Sequence, residues 1–442
     1  LYMWEILLLI VFFGGYFFIT IEHQVHIDKT ISALGMAAVC WAVLRMTNLE
    51  VFSIEDSGLI SLASKEGIDN ATAIDNLLLH HVGKIAEILF FLIGAMTIVE
   101  IIDMHRGFEI IKKIVKTRRK QKLLWVLGIV GFFLSALIDN LTTIIIMITI
   151  LRKLIPDQKT RFWYTSLLII AANAGGAWSP IGDVTTTMLW MANKVSAVKL
   201  SEYVFIPSFI CFIVPMGIAS FLPVFRGRLD IPRADKTEAL KSSTPILIIG
   251  FLSIIFVPVF KSVTHLPPYI GMMFALATMW FFSEFMKPKE TEEAPSLSVH
   301  RALSRIEISS ILFFLGILLA VAALESIGIL FHFAEWLDTA IPNKNIVVML
   351  LGMASSIIDN VPLVAASIGM FLAPIDDSLW HFIAYAAGTG GSLLIIGSAA
   401  GVAAMGMEKI DFFWYVKHIS WLALVGFLAG CGSLIAVETW FR

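Results

Sequence analysis

The stretch Ser135-Ala-Leu-Ile-Asp-Asn140 decides the fold, because the second half of the chain repeats it as Ser355-Ser-Ile-Ile-Asp-Asn360. Both copies lie in the middle of long apolar runs. A carboxylate at the centre of a membrane-spanning helix costs about 2.5–3.5 kcal/mol on insertion scales. A chain that carries this cost twice is expected to use the carboxylates. We therefore predict an internally duplicated membrane transporter whose substrate site contains Asp139 and Asp359.

The composition indicates a membrane protein. Of the 442 residues, 58% are apolar and only 15% are charged, whereas soluble domains carry about 25% charged residues. The net charge of −2 gives no field that would attract nucleic acid, and the three cysteines lie in apolar runs without metal or disulfide spacing. The sequence contains no nucleotide-binding loop and no nucleophile triad. We predict a protein of the lipid bilayer that is not an enzyme, needs no cofactor and has no nucleic-acid partner.

Apolar runs of spanning length recur along the whole chain. Two of them, 123–152 and 346–373, are interrupted halfway by Asp-Asn. They are predicted to be re-entrant helical hairpins, because the polar break supplies turn and cap residues. The other runs are predicted to cross the bilayer, five in each half, at 3–20, 30–46, 82–102, 161–192, 202–224, 244–262, 267–286, 306–325, 380–407 and 411–437.

The distribution of basic residues orients these segments. If the basic segment 103–122 is cytoplasmic and neither hairpin crosses the bilayer, most of the 32 Lys and Arg residues face the cytoplasm, as the positive-inside rule requires. We therefore predict a multi-pass protein of the cell inner (plasma) membrane. Hairpin 123–152 and the basic loops are then cytoplasmic, and hairpin 346–373 and the C-terminus are external. The chain begins with Leu1, and an upstream span or a cleaved signal peptide would explain an external start.

The duplication extends beyond the repeated hexapeptide. Glu87-Ile-Leu-Phe-Phe-Leu92 resembles Ser310-Ile-Leu-Phe-Phe-Leu315, in the same order along the chain. We predict an all-α polytopic fold of two inverted repeats, each with five spans and one hairpin, because an odd number of crossings reverses the second half. The predicted first repeat covers 1–225, a cytoplasmic linker covers 226–243, and the second repeat covers 244–442.

Each half also carries a Gly-rich stretch inside a predicted span. These stretches are Asn173-Ala-Gly-Gly-Ala-Trp-Ser-Pro-Ile-Gly-Asp-Val-Thr-Thr-Thr187 and Gly388-Thr-Gly-Gly-Ser-Leu-Leu-Ile-Ile-Gly-Ser-Ala-Ala400. Gly and Pro are predicted to break the helix and to free main-chain carbonyls. Freed carbonyls suit a small alkali cation, whereas half-helix N-termini favour anions. The backbone alone therefore leaves the sign of the substrate's charge open.

The side chains at the hairpin turns and breaks favour a cation. They are oxygen donors, three of them carboxylates, and no Lys, Arg or His lies in either turn or either break. Three acids without a base would repel a dicarboxylate or sulfate, but they suit Na⁺ or Li⁺. Protons compete for buried carboxylates, so a site that holds either ion is the simplest antiporter. The candidate ion- and proton-binding residues are Asp139, Asn140, Thr142, Asn173, Asp183, Thr185, Thr186, Ser355, Asp359, Asn360, Ser392 and Ser398. The predicted Na⁺ ligands among them are Asp139, Asn140, Asp183, Asp359 and Asn360.

At these residues the sequence resembles the NhaD-type sodium/proton antiporters of the ion transporter superfamily. The paired Ile-Asp-Asn motifs and Gly175-Gly-Ala-Trp-Ser-Pro-Ile-Gly-Asp-Val-Thr-Thr186 carry the resemblance, which covers nearly all of the chain. It implies a homodimer with a scaffold domain and a transport domain that moves like an elevator, and export of Na⁺ or Li⁺ in exchange for protons. The dicarboxylate members have Ser-Asn-Thr at their hairpin tips, so the tips of this chain argue against carboxylate substrates.

Other interpretations remain open at this point. A sodium-coupled anion (dicarboxylate-like) symporter of the same fold is the second functional hypothesis, and a channel-like pore is a third. Asp139 and Asp359 could serve only as N-caps of the second hairpin helices. Asp183 corresponds to Ser398 in the other repeat, and this asymmetry suggests a distinct task, such as carrying the exchanged proton. The hydroxyls of Thr185 and its neighbours could simply bond back within a helix.

Overall fold

The described residues of the chain are mostly helical in a computed structural model. Of the predicted linker 226–243, residues 230–239 lie outside the part of the chain that the structure describes. The described residues are 3–20, 28–55, 58–110, 117–229, 240–286, 297–357 and 359–441.

Many helices begin at a side chain that accepts a hydrogen bond from the first helical turn, which is the usual local signal for a helix start. Asp28, Asp157, Ser196 and Asp377 all cap helices in this way. The helices are α1 (Met3–Thr20), α2 (Lys29–Thr47), α3 (Leu62–Glu66), α4 (Asn70–Met104), α5 (Lys120–Ile138), α6 (Asn140–Leu154), α7 (Gln158–Gly176), α8 (Val184–Met191), α9 (Ala197–Ser220), α10 (Ser243–Thr264), α11 (Pro268–Phe285), α12 (Val299–Leu303), α13 (Ile308–Ser326), α14 (Ile329–Ala340), α15 (Lys344–Ala354), α16 (Asn360–Met370), α17 (Ser378–Gly390), α18 (Ala399–Glu408), α19 (Phe412–Tyr415) and α20 (Trp421–Phe441). Short turns of other helix types lie at Pro223–Phe225 and Val416–Ser420.

Seven segments within the described residues are long and apolar enough to cross a membrane. Length and composition alone support this statement. The segments are Lys29–Thr47, Asn70–Met104, Lys120–Ile138, Ala197–Ser220, Ser243–Thr264, Ile308–Ser326 and Phe412–Val437.

The helix breaks lie where the sequence predicts them. The predicted run 161–192 consists of α7 and α8 with a loop between them, and 380–407 consists of α17 and α18. Helix α5 ends at Ile138 and α6 begins at Asn140, so Asp139 alone joins them. Helix α15 ends at Ala354 and α16 begins at Asn360. The entry and exit of each hairpin on one face of the bilayer stays a prediction.

One pair of short strands departs from the all-helical expectation. Strand β1 (Phe52–Glu55) pairs antiparallel with β2 (Gly58–Ser61), with Phe52 opposite Ser61. Polar and apolar residues alternate along β1, which is the pattern of a half-buried strand and not of a helix. The segment is short and lies between two predicted spans, so its alternation of polar and apolar residues gives only a weak signal beside the surrounding apolar runs.

The chain divides into two compact units. Unit 1 consists of residues 1–92, 307–347 and 361–374. Its centre is the packing of α2 against α13, where the Trp41 indole N–H donates to the Leu319 carbonyl at 2.9 Å. Unit 1 thus takes segments from both predicted repeats.

Unit 2 consists of residues 93–306, 348–360 and 375–442. Helix α9 packs closely against α20, because a Cβ at Gly426 would lie 2.6 Å from the Cys211 carbonyl oxygen. The Tyr385 hydroxyl, from α17, donates to the Phe427 carbonyl at 2.8 Å. These contacts hold the broken helices of unit 2 against its long helices.

An ion-pair cluster around the buried Glu408 carboxylate ties three helices of unit 2 at one end. The Glu408 side chain closes α18 and is only 1% exposed. Its two carboxylate oxygens accept from the Arg152 Nε of α6 at 2.7 Å and the Arg161 Nε of α7 at 2.9 Å. Helices α6, α7 and α18 each carry a candidate site residue at or near their other end, so this cluster fixes the frame on which the site is built.

Candidate cation-binding site

The tip of the first hairpin is built around Asp139. Its backbone lies at φ 73° and ψ 156°, a region that is occupied almost only by glycine. The Thr142 N–H donates to Asp139 Oδ1 at 2.8 Å and the Thr142 hydroxyl donates to Oδ2 at 2.8 Å. Asp139 is therefore an N-cap of α6, and the half-buried carboxylate stands at the positive end of that helix.

Glycines allow the first broken helix to approach this tip. A Cβ at Gly182 would lie 2.7 Å from the Ser135 carbonyl oxygen, and a Cβ at Gly175 would overlap the Phe132 carbonyl. The loop that follows α7 therefore passes close to the hairpin tip and ends at Asp183, which caps α8. Asp183 Oδ1 accepts from the Thr185 N–H at 2.8 Å and from the Thr185 hydroxyl at 2.7 Å.

The Asp183 carboxylate joins the tips of both hairpins. Its Oδ2 accepts from the Asn140 side-chain amide at 2.5 Å, and its Oδ1 lies 3.5 Å from the Asn360 side-chain nitrogen. Asp183 is only 2% exposed. Asp139 and Asp359 are half-buried, and each lies close enough to Asp183 for a charge–charge interaction. The three predicted carboxylates therefore share one neighbourhood.

Asn173 joins the two broken helices, and we call Asp183 and Asn173 the two hubs of the site. Asn173 is fully buried and its Oδ1 accepts from the Asn140 amide at 3.1 Å. Its own Nδ2 donates to Ser392 Oγ at 2.9 Å and Ser398 Oγ at 3.0 Å. Ser398 also caps α18 by accepting from the Gly401 N–H at 3.1 Å. A continuous chain of polar contacts thus runs from the second break through Asn173 and Asn140 to Asp183.

The remaining predicted residues lie at the border of this network. Thr142 reaches it only through Asp139. The Thr186 hydroxyl donates to the Ser179 and Asp183 carbonyls at 2.7 and 2.9 Å, which is the back-bonding alternative for this residue. The Ser355 hydroxyl donates to the Ala387 carbonyl at 2.9 Å. These two hydroxyls stabilise the backbone of the breaks.

Sequence reasoning did not include Ser135 among the site residues. Its hydroxyl donates to the Ala172 carbonyl at 2.6 Å, just as Ser355 bonds to Ala387 in the other half. The signal was available, since Ser135 and Ser355 are the first residues of the repeated hexapeptide. This matching contact supports the duplication, whereas the inverted orientation of the repeats stays a prediction.

The side chains of the site carry carboxylate, amide and hydroxyl oxygens, and oxygen atoms are the ligands that hard cations prefer. Within the described ranges, no group of three His, Cys, Asp or Glu residues is arranged to hold a metal ion. A cation here would therefore be held by a mixed set in which amide and main-chain oxygens contribute. No Lys, Arg or His side chain takes part in the hydrogen bonds of the two hubs described above.

Known proteins of similar sequence identify the family. A family model described as a citrate transporter, CitMHS, matches residues 10–390. Sodium/proton antiporter 2 of Arabidopsis thaliana is 40% identical over 433 residues, which are 96% of this chain and 97% of the relative. The Na(+)/H(+) antiporter NhaD of Alkalimonas amylolytica is 29% identical over 461 residues, 98% of this chain and 89% of the relative. The chain belongs to the NhaD-type sodium/proton antiporters.

Two further comparisons concern a longer relative of this NhaD-type chain and a solved structure of the same fold. Sodium/proton antiporter 1 of Arabidopsis thaliana is 46% identical over 364 residues, 81% of the chain, but the match spans only 63% of that longer relative. The crystal structure of the Alcanivorax borkumensis YdaH transporter shares the fold, with a TM-score of 0.56 at 11% identity over 92% of this chain and 95% of that one. The NhaD-type chain is therefore a multi-pass protein with the ion transporter fold.

Proposed function

We propose that this chain is a secondary active antiporter that exports Na⁺, or Li⁺, in exchange for protons. The observation that carries the proposal is the Asp183 carboxylate, which is buried and contacts amides from the tips of both hairpins. The names of the relatives support the same activity. A buried carboxylate that is contacted from both hairpin tips can bind either a cation or a proton, and protonation removes its charge.

The amides provide a means of exchanging the two ions. In the structure the NH₂ group of Asn140 faces Asp183 and stabilises the carboxylate. A side-chain amide carries an oxygen acceptor and a nitrogen donor at equivalent positions, so rotation by half a turn presents an oxygen to a bound cation. We propose that Asn140 and Asn360 turn in this way when Na⁺ binds, and turn back when protons displace it from Asp139, Asp183 and Asp359.

The domain organisation supports an elevator-type movement. All twelve candidate positions fall within unit 2, so a single body would carry the ion. We propose that unit 2 is the transport domain that moves with its ion, and that the chain works as a homodimer. The predicted orientation, with hairpin 123–152 on the cytoplasmic side of the inner (plasma) membrane, belongs to the same proposal.

The activity is tested in proteoliposomes that contain the whole chain and an internal pH dye. Addition of Na⁺ or Li⁺ across pH 7–9 should move protons against the cation, while choline chloride should not. Asp183→Ala should abolish the exchange. Full Na⁺-dependent proton movement in Asp183→Ala would refute the proposed site.

The second hypothesis, a sodium-coupled anion symporter, is favoured by the description of the matching family model as a citrate transporter. Against it stands the absence of a basic side chain from the hydrogen bonds of the two hubs. The same proteoliposomes distinguish the two, because Na⁺-dependent uptake of labelled citrate without proton movement would favour the symporter.

A further inference from the structure

A cavity of about 570 Å³ lies where the start of α5 meets the segment that follows α9. Its lining includes Arg119, Arg226, Arg228, Phe221 and Phe225. We call it the arginine pocket. It belongs wholly to unit 2, and it takes no part in the cation site described above.

The backbone holds two of the arginines side by side. Arg119 and Arg228 form an antiparallel β-bridge, and the flanking bonds run from the Lys120 N–H to the Gly227 carbonyl (3.2 Å) and from the Leu229 N–H to the Arg118 carbonyl (2.8 Å). Residues directly opposite in such a pair have Cβ atoms about 4.5–5.5 Å apart, and like charges there are destabilising. The fold therefore brings two positive charges together at a cost.

The positive charge of the arginine pocket is not neutralised by its own lining. No acidic residue is among the lining side chains, and in the described part of the chain no ion pair involves Arg119, Arg226 or Arg228. The N-terminus of the 19-residue helix α5 begins at Lys120 and adds its own partial positive charge. Three guanidinium groups and a helix N-terminus around one cavity select a phosphate-bearing anion.

The apolar part of the lining indicates which kind of phosphate compound fits. Phe221 follows directly after α9, a helix long enough to cross the membrane, and its side chain is 75% exposed. A free phosphate ion has no apolar part that could contact the exposed Phe221 side chain. A phospholipid combines an anionic headgroup with acyl chains, and basic pockets beside membrane helices are suited to such headgroups. We propose that the arginine pocket binds the phosphate of an anionic membrane phospholipid, with Phe221 against its acyl chains.

The test uses the purified whole chain in detergent, with phosphatidylglycerol as the probe and phosphatidylcholine of the same acyl chains as the neutral comparison. Phosphatidylglycerol should raise the melting temperature of the wild type in a saturable manner, and added NaCl should weaken the effect. The double variant R119Q/R228Q should bind roughly tenfold or more weakly, because charge-assisted hydrogen bonds are lost. Without lipid, this variant should be at least as stable as the wild type, because the repulsion between the two arginines is gone.

The matched control is R118Q/K122Q, which removes two neighbouring charges that do not line the arginine pocket. It should respond to phosphatidylglycerol like the wild type. Equal responses of both double variants would overturn the proposal, since any basic surface would then suffice. Inorganic phosphate that reproduces the full stabilisation would overturn the lipid assignment, as would an undiminished response to phosphatidylglycerol in Phe221→Ser.

Discussion

Asp139→Asn separates the two tasks that the Asp139 carboxylate could perform, namely capping α6 and binding an ion. Asn is as good an N-cap as Asp, so the hydrogen bond from the Thr142 N–H is retained while the negative charge is lost. The chain offers a matched control. Asp157 caps α7 by accepting from the N–H and the hydroxyl of Thr160, both at Oδ2, but it is exposed. Asp157→Asn therefore removes an equal charge from an equal cap outside the site.

The expected effect on transport is large for one variant and negligible for the other. A cation about 4 Å from a carboxylate is held by about 4 kcal/mol at an effective dielectric constant of 20, which is roughly a thousandfold in affinity. Part of this gain is offset because a neutral amide is cheaper to bury than a carboxylate. We therefore expect the KM for Na⁺ to rise at least about a hundredfold in Asp139→Asn and to stay unchanged in Asp157→Asn, with little change in thermal stability in either.

Membrane vesicles with a pH-sensitive dye measure this difference in Na⁺ titrations at pH 7 and above. Hydrogen bonds from the Thr160 hydroxyl and N–H lower the pKa of Asp157 from its ordinary 3.8, so the control cap is ionised under these conditions. Its stabilising effect would fade only as the pH falls through that lowered pKa. A wild-type KM for Na⁺ in Asp139→Asn would refute the role of Asp139 as a ligand and leave it a cap.

Two further variants test the frame of the site. Asn173→Ala removes the hydrogen bond to Asn140 at the first hairpin tip and the two bonds to Ser392 and Ser398 of the second break. The KM for Na⁺ in vesicles should rise roughly tenfold or more, and an unchanged KM would contradict the hub role. Glu408→Ala removes the carboxylate that Arg152 and Arg161 share and should destabilise the protein by about 3 kcal/mol, seen as a lower melting temperature. Asp75→Ala, which breaks an exposed ion pair with Arg45, should cost less than about 1 kcal/mol. Equal shifts in the last two variants would show that Glu408 does not tie the helices.

The helix breaks could be predicted from the sequence because their signals are local. Asp139 and Asp183 are good N-caps. Asp139 stands before Asn140 and Asp183 stands in the first Gly-rich stretch, so both lie where an apolar run is interrupted. A few neighbouring positions therefore determine where one helix ends and the next begins. The repeated hexapeptide added the expectation that the second half does the same, and α16 begins at Asn360 accordingly. The list of oxygen-bearing candidates followed from the same stretches.

The partners of those candidates could not be predicted, because they depend on how distant helices pack. Asn173 meets Ser392 and Ser398 across sequence separations of 219 and 225 residues, and no spacing in the sequence reports such a contact. The Glu408 cluster and the arginine pocket were missed for the same reason, since each joins charged residues that are far apart along the chain. The strand pair β1 and β2 could not be predicted, because four-residue strands give a weak periodic signal beside long apolar runs.

The backbone of Asp139 has an evolutionary consequence. A non-glycine residue in that conformation carries a strain of about 1–3 kcal/mol, which a glycine would relieve. Selection for stability alone would therefore favour a glycine at this position. A laboratory screen that selects for heat resistance and ignores salt tolerance should recover Asp139→Gly repeatedly, as a variant with a raised melting temperature that no longer exchanges ions. Growth on high-sodium medium should select against the same variant.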